Sequence, residues 1–531
     1  MESATQVSRA APHPWLRVAI GLWIAAVVSR LVFAWFTLAH TPAIYPDEVM
    51  VADYGRNILE YPADSSVVWS FATDSPRVPL YSLGCVAMEW ACRASGESPV
   101  GARMLGVVAS LVAATFLLLW MRASGVGWRI GLVGTSAFML DPLLVAVSRS
   151  GRPDTLVMAF ALASCWLLRV AGTRMKAGEG ARWRFAAAGF LAGVTPFLWP
   201  SAVFLLLLVA AELLRLVTAG KGTWRDAFCA AIKPWTLFCA GGAVAAILLF
   251  LPLWRMWPEA LKQFLWLTEI ASTTGTLGDW WLFLHSFRVS PLLLAAVAVS
   301  AAVMWRRDRL LVLAVGSTTL FLVQSLIYHF RAGYALPSYY ALVISACAVL
   351  AVPSAHMAKR FAWAMLAVLL AWNMAFSLGF RGWIAYDRAQ AQSDARLRSA
   401  AEAYVGKGNY RVLDANMVFY YVGRQLGWQM FRPEVAHNYG MSKWNDALFT
   451  EFLRRVDVAI IPQPGQIWNV EKFSRDEGAA LEKAGFAKTA SFDVSAPAGS
   501  QRPWWDRVLL GGGPDYGTFD VYARPGVLSA R

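Results

Sequence analysis

Charged residues are scarce in this chain. They make up 15% of its 531 residues, against 57% hydrophobic, where a soluble protein carries about a quarter. That deficit excludes an ordinary soluble globule. Cysteine is sparse too: Cys85, Cys92, Cys165, Cys229, Cys239 and Cys347 lie in or beside apolar runs, without metal-ligand spacing and with none after Arg381. Cys85 and Cys92 sit about 10 Å apart along a predicted helix axis, too far for a disulfide. All six read as small apolar fillers. The glycines at 511–513 precede Pro514 with no Lys-Ser/Thr behind them, so they form a turn and not a phosphate loop. No small-residue cleavage site follows the first apolar run, which is therefore expected to be a retained helix.

Long apolar runs are what the chain has instead. Runs near bilayer-spanning length fall at 15–38, 101–121, 130–147, 155–170, 185–197, 201–216, 235–254, 291–305, 310–328, 338–352 and 361–380. They predict a polytopic α-helical membrane protein with about eleven transmembrane helices. The 26 tryptophans suit that class, since indole rings favour the headgroup zone. A net charge of +14 does not make nucleic acid a partner, because the basic residues gather in short loops. They are Arg122 and Arg129; Arg169, Arg174, Lys176, Arg182 and Arg184; Lys221, Arg225 and Lys233; Arg306, Arg307 and Arg309; Lys359 and Arg360. All these loops fall on one side, the orientation signal of an inner-membrane protein with its N-terminus in the cytoplasm. An odd number of spans leaves the C-terminus in the periplasm.

Two regions break the pattern. Segment 41–99 is a loop of about 60 residues, far beyond ordinary connection length. Within it 47–60 and 80–92 predict short helices, the second lying along the membrane surface because it is short and carries Glu89. After Phe380 the hydropathy drops, dividing the chain into a membrane domain over 1–380 and a periplasmic α/β domain over 381–531. Strands are predicted at 411–413, 456–461 and 518–523, and helices at 395–404, 446–455 and 475–484.

Three polar constellations face the outer side. The first is Tyr45-Pro46-Asp47-Glu48, where Asp47 is the best candidate for a general base that takes a proton from a hydroxyl. Neighbours on a helix diverge by about 100°, so Glu48 would orient a partner or a metal. Helix capping accounts for acidic residues after a proline as well. The second is Ser148-Arg149-Ser150-Gly151-Arg152-Pro153-Asp154. Asp154 either caps the next helix and pairs with Arg149 or Arg152, or joins them in holding a phosphate beside an acceptor. The third runs from Tyr328 to Pro337 and holds His329, Arg331 and Tyr334. Arg331 suits two-pronged binding of a lipid-carrier phosphate near Tyr334, or anchoring to lipid headgroups.

The order of several short motifs resembles the GT-C glycosyltransferases. They are Pro46-Asp47-Glu48, Pro79-Leu80-Tyr81, Ala102-Arg103, Leu140-Asp141-Pro142-Leu143 and Arg152-Pro153-Asp154 with Leu156 and Phe160. The resemblance is to bacterial families that include protein mannosyltransferases, lipid A aminoarabinose transferases and rhizobial lipopolysaccharide glycosyltransferases. It covers about 15–170 well and 331–337 loosely. It implies Asp47 as the acceptor-activating carboxylate, Glu48 as its companion, Asp154 as a second, supporting carboxylate and Arg331 as the phosphate contact. It also implies a polyprenyl-phosphate-linked sugar donor and inversion at the anomeric carbon. Some members use a divalent metal such as Mg or Mn; Asp47 and Glu48 are the ligands this loop would offer. The chain departs from the pattern at Asp141-Pro142, where Ser-Pro is usual, and at Arg77-Val78-Pro79, where His-Pro-Pro is usual.

The expectation is a membrane glycosyltransferase serving a lipid, glycan or protein acceptor in contact with membrane lipids. Two rivals stand beside it. An O-antigen ligase or polymerase would rest on a large outer loop rich in Arg and His. A transporter of lipid-linked or anionic substrates would show paired helix breaks near mid-membrane.

Overall fold

The computed structural model describes residues 14–39, 44, 46–60, 68–70, 75–76, 82–199, 202–218, 224–258, 261, 305, 308–310, 312–313, 356–380, 382–386, 393–414, 417–433, 450, 452–463, 477–495 and 516–528. The expected spans at 291–305, 310–328 and 338–352 lie essentially outside them.

Helix α1 (Pro14–Thr37) is apolar over most of its surface, as a lipid-facing helix must be. It turns Ala19, Ala26, Arg30, Ala34 and Thr37 to the bundle and leaves Trp15, Ile24, Val28 and Trp35 outward. Small residues on the buried stripe let neighbouring backbones approach. Two short helices follow in the first loop, α2 (Pro46–Leu59) and α3 (Leu83–Ala94). Then come α4 (Pro99–Ala123), α5 (Trp128–Met139), α6 (Pro142–Ser148), α7 (Asp154–Lys176), α8 (Arg182–Leu198), α9 (Ala202–Thr218), α10 (Trp224–Phe250) and α11 (His356–Met374). Among the described residues five helices are long and apolar enough to cross a membrane, so the protein is a multi-pass membrane protein. The central one is α7, with 72% of its apolar window buried.

The expected span 130–147 is broken. α5 stops at Met139, and Asp141 caps α6 by accepting the Leu144 N–H at 3.1 Å. Pro142 cannot donate to the preceding turn, so the chain must restart there. The carbonyls freed by the break find donors: Ala137 receives Asn373 Nδ2 at 2.8 Å, Met139 receives Arg30 Nη1 at 2.9 Å and Leu140 receives Ser377 Oγ at 2.6 Å. In a hydrocarbon environment such satisfaction is obligatory. Asp141, odd for a span interior, is thus a helix cap.

A charge cluster closes the opposite end of the bundle. Buried Glu212 accepts from Arg169 Nε at 2.7 Å, Arg215 Nε at 3.2 Å and Trp120 Nε1 at 3.2 Å. Arg169, expected in a basic loop cluster, therefore points inward and ties α7 to α9.

The tail forms a mixed sheet flanked by α12 (Ser393–Tyr404), α13 (Tyr420–Gln425) and α14 (Glu477–Lys483). Its strands are β3 (Arg411–Asp414), β4 (Gln429–Pro433), β5 (Val458–Pro462), β6 (Ala487–Asp493) and β7 (Thr518–Ala523). Two more, β1 (Val68–Ser70) and β2 (Ser75–Pro76), come from the first loop. The order is β2-β1-β4-β3-β5-β7-β6, with β1 parallel to β4. The first loop thereby adds its own strands to the sheet of the tail. Half of the helix expected at 446–455 lies outside the described residues. Neither β4 nor β6 was expected, because Gln429-Met430-Phe431-Arg432-Pro433 shows no clean alternation and β6 is largely exposed.

Candidate functional site

Pro46 opens α2, where a missing N–H costs nothing. The first turn then presents Glu48 to Arg103, which enters α4 from a Ser98 cap. Arg103 donates Nε to Oε1 at 2.7 Å and Nη2 to Oε2 at 2.8 Å, while Nη1 reaches the Leu38 carbonyl at 2.8 Å. Neither side chain of the pair is more than 1% exposed. Burial pushes the Glu48 carboxyl up, and the Arg103 guanidinium pulls against it.

The second acidic segment arrives at the same place. Gly151 adopts φ 62°, and a Cβ there would stand 2.8 Å from Glu48 Cγ and 2.9 Å from Oε1. Three residues on, Asp154 starts α7 and accepts Arg152 Nε on Oδ2 at 2.9 Å. Its Oδ1 and the adjacent Thr155 Oγ1 are buried without a hydrogen-bond partner among the described residues. Arg152 also lies over the Trp199 ring at 5.8 Å. Arg149 turns the other way, donating to Thr37 Oγ1 at 2.6 Å and lying 4.5 Å over the Phe33 ring. Beneath them Arg30 donates to Ser110 Oγ at 3.0 Å and Ser148 Oγ at 2.7 Å.

The tail reaches into this centre. The charge of Asp394 acts on both Glu48 and Arg103. Tyr421 is buried in the same cluster as Val49, Cys92 and Ala102, and burial pushes its phenol well up. Burial likewise holds the Cys85 and Cys92 thiols up at about 12, which removes them as nucleophiles.

The structure therefore sets Glu48 against Gly151 and pairs Asp154, three residues on, with Arg152. Asp47 lies in the first turn of α2, its side chain outside the described residues; Arg331 and Tyr334 lie outside them as well. A divalent metal fits poorly at Glu48, because Arg103 occupies both carboxylate oxygens. Among the described residues no group of three His, Cys, Asp or Glu side chains could hold an ion. Arg103, Arg30 and Glu212 received no role from sequence reasoning. A charge inside an apolar run was the available signal, since it is costly in lipid and marks a partnered or functional position.

No protein-family model matches the sequence, and no curated protein matches it. The fold does have solved counterparts. ArnT from Cupriavidus metallidurans, solved bound to undecaprenyl phosphate, aligns at TM-score 0.55 and 14% identity over 97% of this chain and 98% of that one. Oligosaccharyltransferase from Archaeoglobus fulgidus, tethered with an acceptor peptide, aligns at TM-score 0.46 and 11% identity over 85% and 70%. Mycobacterial arabinofuranosyltransferase AftD aligns at TM-score 0.48 and 15% identity over 97% and 42%. The near-complete overlay on ArnT shows that this chain has the GT-C fold, with a sheet-containing domain at its C-terminus.

Proposed function

We propose that the protein is an inverting glycosyltransferase that moves a sugar from a polyprenyl-phosphate donor to a hydroxyl of a lipid, glycan or protein. The reaction would take place at the periplasmic face of a bacterial inner membrane. The observation that carries this reading is the meeting of the first-loop acidic turn with the 148–154 segment, Glu48 against Gly151, on a fold shared with a protein that binds undecaprenyl phosphate.

With Glu48 committed to Arg103, the base is Asp47. Its carboxylate takes the acceptor hydroxyl proton as the acceptor oxygen bonds to the anomeric carbon. The bond from that carbon to the phosphate oxygen breaks on the opposite face, and its electron pair leaves with the polyprenyl phosphate. A phosphate is a fair leaving group, so the protein chiefly supplies position and charge. Arg331 and Tyr334 are assigned to the carrier phosphate. Arg152 holds Asp154 in place and adds positive potential beside it.

The test is transfer in proteoliposomes from undecaprenyl-phosphate-linked sugar, with mass spectrometry of envelope glycolipids and glycoproteins from a deletion strain naming sugar and acceptor. Asp47→Asn is expected to abolish transfer without loss of expression. Wild-type turnover in that variant removes Asp47 from the mechanism.

A further inference from the structure

Helix α3 packs against α2, α4 and Pro153 of the second acidic segment, and it meets the tail. Its Glu89 is fully buried and receives Arg93 Nε at 2.7 Å from its own helix. From the tail, Arg424 on α13 donates Nη1 to Oε2 at 2.9 Å and Nη2 to Oε1 at 2.8 Å. Arg424 also bonds the Tyr420 hydroxyl at 2.8 Å and pairs with Glu97. Next to it, Gln425 Nε2 reaches the carbonyls of Gly96 and Glu97 at 3.1 and 3.3 Å.

The same helix bears on both acidic segments with no slack. Against α2, a Cβ on Gly55 would lie 2.8 Å from Glu89 Cβ and would run into the Cys85 carbonyl. Against the second segment, a Cβ on Gly84 would strike Pro153 and lie 2.5 Å from the Leu198 carbonyl. The α3 cap residue Ser82 donates to that carbonyl at 2.9 Å. Backbones packed this closely cannot shift one without the other.

We propose that Arg424 is a positioning residue: by gripping Glu89 it lets the C-terminal domain fix α3, and through α3 the turn carrying Asp47 and Glu48 and the segment carrying Asp154. The inference rests on the reading that those two segments perform the transfer. Without Arg424 the buried Glu89 keeps only Arg93 and a demand for water. The helix then moves outward, and α2, pressed against it at Gly55, loosens with it. The pairing of β1 with β4 ties the first loop to the tail at a second place, so the loop stays attached while its helices lose register.

The experiment uses the full-length protein in nanodiscs. Hydrogen–deuterium exchange is followed in Arg424→Ala and Arg424→Lys, together with transfer kinetics. Arg424→Ala is expected to speed exchange of the α2 amides about tenfold while strands β3 and β7 keep their protection. Transfer kcat falls about tenfold or more and the donor KM stays within about twofold. Arg424→Lys, which keeps the charge and loses the two-pronged geometry, falls between. The exposed Arg174, which pairs with Glu179 at the far end of α7, serves as control: Arg174→Ala leaves both readouts unchanged. Unchanged α2 exchange in both variants overturns the proposal, and so does equal loss of protection in β3 and β7, which makes Arg424 a general stabiliser. Wild-type transfer in Arg424→Ala beside lost transfer in Asp47→Asn overturns the positioning role alone. Wild-type transfer in Asp47→Asn overturns the reading beneath it.

Discussion

Glu48 and Arg103 form a two-pronged ion pair with nitrogen–oxygen distances of 2.7 and 2.8 Å, and both side chains are shut away from water. The pair joins the first-loop helix to the start of a membrane span, and Nη1 of the same guanidinium holds the last turn of α1 at Leu38. One arginine thus fixes where the acidic turn stands relative to two spans. It also divides the labour of the acidic pair, since a carboxylate gripped on both oxygens by one guanidinium cannot swing out to meet an acceptor hydroxyl.

Arg103→Ala would leave Glu48 buried and unpaired, at a cost of about 3–5 kcal/mol. Replacing both partners by methionine removes the stranded charge and is expected to recover most of that loss. Thermal unfolding in detergent compares the two. Equal destabilisation in the single and double variants would show that a stranded Glu48 charge is not what the single variant suffers from.

Gly151→Ala combines a left-handed backbone with a collision on Glu48. The backbone alone costs about 1–3 kcal/mol. Gly178 supplies the comparison, with φ 75° and nothing within 4 Å of its Cβ position. Both alanine variants are expected to lose some stability, but Gly151→Ala alone should lose transfer activity. Matching activities would mean that the Glu48–Gly151 contact does not matter to the reaction.

Much of this was legible in the sequence. The apolar runs located α1, α4, α7 and α10 to within several residues at most ends, because bilayer thickness dictates run length whatever the packing. Strand β7 fell where expected, at Thr518–Ala523. What periodicity could not reveal was partnership. Arg30 and Arg103 sit in apolar runs like any snorkelling arginine, and only three-dimensional packing shows that they turn inward to Ser148 and Glu48. Glu89 argued for a surface-lying helix, yet it is covered by Arg424 from a domain far along the chain. The joining of β1 to β4 was equally hidden, since parallel pairing at a distance leaves no local turn signal.

The break between α5 and α6 makes a separate claim. Ser377 and Asn373 donate to the Leu140 and Ala137 carbonyls. Ser377→Ala or Asn373→Leu would strand a buried acceptor, a loss of about 1–3 kcal/mol each. The two sites share one break, so the double variant is expected to lose other than the sum. Unfolding midpoints in detergent measure it; no change in either single variant would mean that water replaces the side chain.

Acid should act first on the tail. Burial pushes Asp457 up, but Arg411 overrides it with bonds of 3.0 Å from Nε and 2.7 Å from Nη2 and a third from its backbone N–H, holding the carboxyl below its ordinary range. Asp493 is lowered by Ser495. Asp520 is lowered despite its burial, by Ser491, Gln463 and Lys488. A carboxylate whose pKa falls on folding contributes stability that is complete above its unfolded value, roughly pH 4, and is lost as pH drops through the folded one. Melting of the tail is therefore expected to be flat from about pH 7 to 5 and to fall steeply below about 4. Asp457→Asn lowers the plateau and flattens the slope, because the asparagine has no proton to take up. A variant with an unchanged acid limb would show that Asp457 and Arg411 do not set the tail's response to acid.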